Sequence, residues 1–254
     1  MPREEEEDRE TFSSPACSMH EFADELVPAQ RDAARAGGAA GAPEPAGALP
    51  VLARTADGGE PSWPAIEAWR AQTRAVLLAR RGAVELRERQ RRGENAKQRL
   101  LAEVDLAPHR VLGFYWPIRA EIDARDIATR HIEAGGVAAL PVITRRNAPV
   151  EFWPWTPGMS MRRGFWNIPV PAVGEPVRPD ALIIPLVGFD AACFRLGYGG
   201  GYYDRTLAAL APLPPRIGIG FADAALVTIH PQPHDIPMSV IVTDRGVHRF
   251  ASGQ

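Results

Sequence analysis

The sequence reads Arg195-Leu-Gly-Tyr-Gly-Gly-Gly-Tyr-Tyr-Asp-Arg205 across its most informative stretch. Four of the five positions from Gly197 to Gly201 are glycine, which frees the backbone to adopt positive φ and lets a ligand approach closely. Successive N–H groups in such a loop can line an anion-binding concavity. A helix predicted from Tyr202 to about Leu210 would place its unpaired N–H groups beside the loop. A tight turn would need only one or two glycines, so the pattern favours a phosphate-binding loop.

This glycine loop does not match the common nucleotide-binding signatures. Tyr202 stands where a dinucleotide fingerprint needs its third glycine, and no Gly-Lys-Ser/Thr sequence is present for a P-loop. The sequence therefore predicts a nucleotide site of a different class.

Composition predicts an ordinary globular protein. The chain has 254 residues, of which 45% are hydrophobic and 24% charged. It contains no apolar run of about 18 residues, so we expect no transmembrane helix. The N-terminus is acidic, unlike a signal peptide, and Cys17 and Cys193 match no disulfide or metal spacing. We expect a cytoplasmic protein, and the net charge of −2 argues against a general nucleic-acid binder.

Residues 1–62 are predicted to be a largely disordered N-terminal extension. They begin with an acidic run, and apart from Glu44 the segment Ala36–Ala48 contains only Ala, Gly and Pro. Such a segment has too little apolar surface to offset the entropy of ordering. A short docking helix within Met19–Val27 is the alternative. One folded domain is expected over residues 63–254.

The beginning of this domain is rich in arginine. One or two helices are predicted over residues 65–106, broken near Arg81-Gly82 and near Arg92-Gly93. The arginines from Arg80 to Arg99 could contact RNA. Glutamates interleave with them, so a solvated helix face with ion pairs is the preferred interpretation.

Beyond Arg110 the pattern is typical of an α/β fold. Strands are predicted at 111–115, 137–143, 150–153, 181–187, 217–221 and 239–243, and helices at 122–133, 202–210 and 223–228. The apolar runs are nearly continuous, as in strands covered on both faces. A three-layer α/β fold with a mainly parallel, doubly wound sheet follows. Ligands bind beyond the carboxyl ends of such strands, where the glycine loop, the turn at 188–190 and the segment 115–121 should converge.

These motifs resemble those of the 5-formyltetrahydrofolate cyclo-ligase (methenyltetrahydrofolate synthetase) family. The resemblance covers residues 65–245 and leaves the first sixty residues without a counterpart. It rests on the glycine loop preceded by Phe189-Asp190, Tyr115-x-Pro117 followed by Glu121, Phe165-Trp-Asn-Ile-Pro-Val-Pro171, Leu182–Asp190 and His234-Asp-Ile-Pro237. It implies a fold of the cyclo-ligase / NagB-RpiA-CoA-transferase-like type.

The resemblance also implies an activity. Family members use ATP and Mg²⁺ to convert 5-formyltetrahydrofolate into 5,10-methenyltetrahydrofolate, releasing ADP and phosphate. The formyl oxygen is phosphorylated, and N10 then attacks the activated carbon and expels phosphate. A non-catalytic folate- or nucleotide-binding regulatory protein on the same scaffold is the alternative. We expect a monomer or a weakly associated protein.

The resemblance assigns residues to the nucleotide side of the site. Arg70 and Arg74 match a family pattern of a basic residue and an arginine four positions apart, which would share one helix face; two ordinary surface arginines are the alternative. Arg195 and Tyr202 are the catalytic candidates. The ATP-binding candidates are Arg70, Arg74, Arg195, Gly197, Tyr198, Gly199, Gly200, Gly201, Tyr202 and Tyr203.

Asp204 is a candidate Mg²⁺ ligand, because carboxylates beside phosphates commonly hold this ion, and the resemblance implies Asp235 as the second carboxylate. Asp204 could instead cap the following helix. Asp190 is expected to shape the turn before the loop. A zinc site at His230 and His234 is disfavoured because prolines separate them and no third ligand accompanies them.

Glu121 is the candidate for accepting hydrogen bonds from the pterin. The aromatic candidates for folate contacts are Trp116, Trp166, Tyr198 and Tyr202, with core packing as the alternative for the tryptophans. Tyr198 stands where some family members have a basic residue, so Arg162 and Arg163 are the candidates for the glutamate tail. Whether the folate carries further glutamates is left open.

Overall fold

The computed structural model describes residues 47–52, 59 and 61–251. The docking helix considered within Met19–Val27 lies outside these residues. So does most of the segment predicted to be disordered. Of that segment, residues 47–52 run along the first helix, where Trp69 Nε1 donates to the Pro50 carbonyl at 2.7 Å and Arg80 donates to the Gly47 carbonyl at 2.8 Å.

The domain begins with two helices, and two further α-helices interrupt the strands that follow. The α-helices are α1 (Trp63–Ala83), α2 (Leu86–Glu103), α3 (Arg125–Glu133) and α4 (Tyr202–Ala209). The strands are β1 (Val111–Gly113), β2 (Val137–Val142), β3 (Glu151–Trp155), β4 (Met161–Arg163), β5 (Pro169–Pro171), β6 (Ala181–Pro185), β7 (Gly188–Asp190), β8 (Arg195–Leu196), β9 (Arg216–Gly220), β10 (Ala225–Leu226), β11 (Val240–Thr243) and β12 (Val247–Arg249).

The central sheet has the strand order β12-β11-β9-β6-β1-β2-β3. Its inner strands β11, β9, β6, β1 and β2 are parallel, whereas β12 and β3 pair antiparallel at the two edges. The chain runs from β1 outward to β2 and β3, then returns to β6 on the other side of β1. This reversal makes the carboxyl ends of β1 and β6 a topological switch point, where ligands commonly bind.

Two helical layers cover the sheet, as the three-layer prediction required. Side chains of successive strand residues point to opposite faces: on β6, Ile183 packs beneath α2 and α3, whereas Leu182 and Ile184 pack on the face covered by α4. Both faces are buried, which explains the continuous apolar runs. Helix α1 packs through Leu77 near β7 and β8 at the carboxyl edge.

Two predictions about the helices were wrong. The segment 223–228 is a 3₁₀ turn at Ala222–Ala224 followed by β10, because its apolar residues pair beside β7. No break occurs at Gly93, which lies inside α2. The neighbouring Arg92 is held by Asp244 at 2.7 Å and by Asp223 at 2.9 Å, so tertiary contacts override the local preference of glycine.

Acidic residues face the basic ones along α2, as predicted. Glu88 pairs with Arg91 at 2.7 Å, and Lys97 lies 2.6 Å from Asp126. Among the described helices, none combines the length and apolar character that crossing a membrane would require.

Candidate active site

The glycine loop connects β8 to α4 at the carboxyl edge of the sheet. Strand β8 pairs antiparallel with β7, and the loop Gly197–Gly201 follows directly. Gly199 has φ +93° and Gly201, the N-cap of α4, has φ +64°. Side chains other than hydrogen are disfavoured at such angles. Both glycines are therefore required by the backbone, and α4 begins beside the loop as predicted.

Two arginines flank this loop. Arg74 Nε donates to the Gly197 carbonyl at 2.8 Å, and its guanidinium faces Gly199 so closely that a methyl group there would lie 3.2 Å from Cζ. Burial, helped by the charge of Arg70, lowers the pKa of Arg74. Arg205 donates to the Gly200 carbonyl. The loop is thus bracketed by positive charge on two sides.

Arg70, the other half of the predicted pair, does not face the loop. It is buried and donates to Asp235 at 2.6 Å, to the His230 carbonyl at 2.8 Å and to the Ile229 carbonyl at 3.0 Å. Two residues predicted for different roles, one for phosphate and one for metal, therefore pair with each other. This ion pair fixes α1 to the segment 229–235.

Asp204 lies in the first turn of α4, beside the segment that carries Asp235. Its Oδ1 accepts from the Ile236 amide at 3.2 Å and lies 3.1 Å from Arg195, which also donates to the Ile236 carbonyl at 3.1 Å. The helix is capped by Gly201 without a side-chain hydrogen bond, so Asp204 does not act as its N-cap. The Asp204 side chain is 22% exposed, against 9% for Asp235.

Glu121 lies in the turn after β1 and meets the glycine loop. Its Oε2 accepts from the Ile118 amide at 2.9 Å, and its Oε1 accepts from the Tyr198 hydroxyl at 2.7 Å. Burial raises the pKa of Glu121, and the charge of Arg81 opposes this shift. The predicted convergence of the loop with the segment 115–121 is confirmed by this contact.

Aromatic rings line the outer side of the loop. Trp166, in the left-handed region at φ +56°, packs edge-on against Tyr202 with ring centroids 5.4 Å apart. A methyl group at Gly200 would lie 2.9 Å from Tyr202 and 3.2 Å from Trp166. These two predicted aromatic residues therefore adjoin the loop.

The other predicted aromatic residues lie deeper or further away. Tyr203 packs against the core beneath α4, with Arg195 5.7 Å from its ring, and burial raises its pKa. Trp116 packs on the opposite core, where Arg125 covers its ring at 4.9 Å.

Asp190 shapes the turn before the loop, as expected. Its carboxylate accepts from the amides of Ala192 and Phe194 at 3.1 Å and from the Ile229 amide at 3.0 Å. Arg162 and Arg163 lie on β4, where Arg162 stacks on Trp153 at 5.7 Å.

Arg81 contacts the site, although the sequence assigned it to the solvated, ion-paired stretch. It donates to the Tyr198 hydroxyl at 2.7 Å. The spacing could have revealed it, because Arg81 follows Arg74 by seven residues, or two helical turns on one face.

Comparison with known proteins identifies the family of the chain. Residues 66–244 match the model of the 5-formyltetrahydrofolate cyclo-ligase family. The chain belongs to this family. It is 30% identical over 176 residues to the 5-formyltetrahydrofolate cyclo-ligase of Escherichia coli K12, covering 66% of this chain and 96% of the relative. The enzyme of the same name from Mycolicibacterium smegmatis is 28% identical over 189 residues, covering 69% and 94%.

Solved structures agree with the fold. The 5,10-methenyltetrahydrofolate synthetase of Aquifex aeolicus superposes with a TM-score of 0.63 at 25% identity, covering 73% of this chain and 94% of that one. The Mycoplasma pneumoniae 5,10-methenyltetrahydrofolate synthetase gives 0.56 at 25% identity, covering 67% and 96%. The predicted family and the predicted fold class are both confirmed.

Proposed function

We propose that this protein converts 5-formyltetrahydrofolate into 5,10-methenyltetrahydrofolate at the expense of ATP, releasing ADP and phosphate. The observation that carries the proposal is the hydrogen bond from the Tyr198 hydroxyl to Glu121, at 2.7 Å. It brings the glycine loop, which is suited to binding phosphates, next to the buried carboxylate of Glu121, and the chain belongs to the cyclo-ligase family. One crevice at the switch point then serves both substrates.

The triphosphate of ATP is placed against the glycine loop in this proposal. Arg74 supports this placement, because Nε alone is bonded to a described residue and its terminal nitrogens remain for an anion. The N–H groups of the loop and of the first turn of α4 add further donors. Such donors catalyse phosphoryl transfer mainly by positioning and by spreading negative charge.

Mg²⁺ fits the carboxylate of Asp204. Its Oδ1 is bonded to Ile236 and Arg195, whereas Oδ2 has no hydrogen-bond partner among the described residues. The described part of the chain contains no group of three or more His, Cys, Asp or Glu suited to a metal. Mg²⁺ usually takes one or two carboxylates together with phosphate oxygens and water, so Asp204 and the phosphates of ATP could hold it together. The bound ion would neutralise charge on the phosphates.

Asp235 and Arg70 are proposed to change partners when ATP binds. Both Asp235 oxygens accept from Arg70, and Oδ2 also accepts from the Gln232 amide. Asp235 can ligate the ion, and Arg70 can reach a phosphate, only if their mutual ion pair opens. The two roles predicted from the family pattern thus depend on one exchange.

Folate is placed between Glu121 and the aromatic residues beside the loop. Glu121 would accept N–H donors of the pterin, and Trp166 and Tyr202 would contact its flat rings. Trp116 is proposed for the same folate side, and Arg162 and Arg163 for a glutamate tail of one or several residues. Arg195 and Tyr202 remain the proposed catalytic pair.

The chemistry runs in two steps. The formyl oxygen attacks the γ-phosphorus of ATP, and ADP leaves. N10 then attacks the formyl carbon, loses its proton, and phosphate departs with the former formyl oxygen. Loop donors and Arg195 would stabilise the transferring phosphoryl group, and removing one contact of this kind costs roughly 3–4 kcal/mol in the barrier.

The test is the absorbance of 5,10-methenyltetrahydrofolate formed by the purified protein. We expect product only when ATP, Mg²⁺ and 5-formyltetrahydrofolate are all present. Tight binding of folate or ATP without product would instead indicate the regulatory alternative, which the named enzyme relatives do not favour. We also propose a cytoplasmic location, because Cys17 and Cys193 match no disulfide spacing, and a monomeric or weakly associated enzyme.

A further inference from the structure

Arg81, in the last turn of α1, bonds three segments that meet at the switch point. Nε donates to the Arg119 carbonyl at 3.0 Å, in the turn after β1. Nη1 donates to the Leu186 carbonyl at 3.1 Å, just after β6. Nη2 donates to the Tyr198 hydroxyl at 2.7 Å, in the glycine loop. One planar guanidinium therefore fixes the relative positions of all three segments.

The third of these bonds continues to the folate-side carboxylate. A phenolic hydroxyl has one proton to donate and lone pairs that accept. Because Tyr198 accepts from Arg81, its own proton is directed to Glu121, and that bond measures 2.7 Å. Arg81 thus orients Glu121 through Tyr198 without contacting it directly.

The turn that carries Glu121 has an unusual backbone. Arg119 and Ala120 have φ values of +46° and +61°, which non-glycine residues seldom adopt and which the surrounding structure must enforce. The bond from Arg81 to the Arg119 carbonyl acts on this turn directly. Glu121 completes the turn by accepting from the Ile118 amide.

We infer that Arg81 is a positioning residue that sets the orientation of Glu121 for folate recognition. The inference rests on the proposed function, because it takes Glu121 as the folate-side carboxylate. Arg81 and Arg74 hold neighbouring loop residues, Tyr198 and Gly197. Helix α1 therefore connects the nucleotide side of the crevice to the folate side.

Several charged or titratable groups surround Glu121, and their effects can be ordered. Arg81 faces it from α1, Tyr198 from the loop, Arg119 from its own turn, and Tyr115 and Tyr203 from the two core sides. Burial raises the pKa of Glu121, and the charge of Arg81 is the largest influence that lowers it. Removing that charge should raise the pKa of Glu121 further. As the pH falls, Glu121 would then be protonated at a higher pH than in the wild type, and folate affinity would be lost there.

The experiment compares R81Q with R81K and with the control R80Q in the full-length protein. R80Q removes the same charge from the adjacent position, whose side chain bonds only the Gly47 carbonyl among the described residues. For R81Q we expect the KM for 5-formyltetrahydrofolate to rise on the order of 10-fold, as for a lost hydrogen bond to a charged group. The KM for ATP should change less.

The pH dependence separates positioning from a merely structural role. In R81Q the acid limb of kcat/KM for 5-formyltetrahydrofolate should move to higher pH. R81K keeps the positive charge but lacks the planar guanidinium that makes the three hydrogen bonds. Its acid limb should therefore stay near that of the wild type, while its KM for folate still rises. R80Q should resemble the wild type in both respects.

A folded R81Q whose acid limb does not move, or whose two KM values rise equally, overturns the inference. If R81Q does not fold, an R81K enzyme with wild-type KM for folate overturns it as well. A wild-type protein that makes no product would instead refute the proposed function, so the two failures are distinct.

Discussion

The Gly199→Ala substitution tests whether the glycine loop holds a conformation that only glycine tolerates. Gly199 has φ +93°, and a methyl group there would lie 3.2 Å from Cζ and 3.3 Å from Nη1 of Arg74. An alanine at such an angle costs about 1–3 kcal/mol. The guanidinium of Arg74 must also shift by a few tenths of an ångström, because these distances are shorter than an ordinary van der Waals contact.

This cost must appear in one of two measurements. If the loop keeps its shape, the free energy of unfolding in urea falls by about 1–3 kcal/mol. If the loop relaxes instead, the contact with ATP is lost, and kcat/KM for ATP falls by roughly 5- to 150-fold. The control is Gly82→Ala in α1, where a methyl group meets open space and should stabilise the helix by about 0.5–1 kcal/mol. A Gly199→Ala protein with wild-type stability and wild-type kcat/KM for ATP would refute the reasoning.

Three further substitutions address the ion network, the folate side and the metal. Arg92→Met should lower the free energy of unfolding by about 3–5 kcal/mol, because Asp244, whose side chain is 4% exposed, loses its 2.7 Å partner and is left with the weaker contact to Arg245 at 3.8 Å. The control Arg91→Met, at a 64% exposed side chain, should leave the free energy of unfolding nearly unchanged, and equal losses in urea would contradict this. Glu121→Gln should raise the KM for folate and abolish the acid limb in the pH profile of kcat/KM for folate. In the wild type this limb lies above the ordinary glutamate range, because burial raises the pKa of Glu121. An acid limb that persists in the variant would exclude Glu121 as its source. Asp204→Asn should reduce kcat about 100-fold or more and raise the Mg²⁺ concentration needed for half-maximal rate, and an unchanged Mg²⁺ titration would remove Asp204 from the metal site.

The sheet could be predicted because the apolar pattern that identifies a buried strand lies within the strand's own residues. Runs such as 181–187 and 239–243 are apolar on both faces, which indicates parallel strands between two layers. Strands of two or three residues, such as β8 and β10, carry too short a pattern to be recognised. The prediction of a helix break at Gly93 was wrong for another reason, because the partners of the buried Arg92 lie more than a hundred residues away in sequence.

The site was predictable where one motif contains it and less so where it is assembled from distant segments. The loop, its positive-φ glycines and the start of α4 follow from a single stretch of sequence. The Arg70–Asp235 ion pair joins residues 165 positions apart, and no local pattern shows that these two residues neutralise each other. Arg81 was missed because an arginine among glutamates is ordinarily solvated; its spacing from Arg74 indicates the shared helix face, but its three acceptors lie in distant segments.

The fate of the formyl oxygen tests the central claim most directly. Substrate carrying ¹⁸O in the formyl group is incubated with the protein, ATP and Mg²⁺, and the released phosphate is analysed by mass spectrometry. If the formyl oxygen attacks ATP in this crevice, each product molecule is accompanied by one phosphate that contains the label. Unlabelled phosphate, or phosphate released without methenyltetrahydrofolate, would contradict the account.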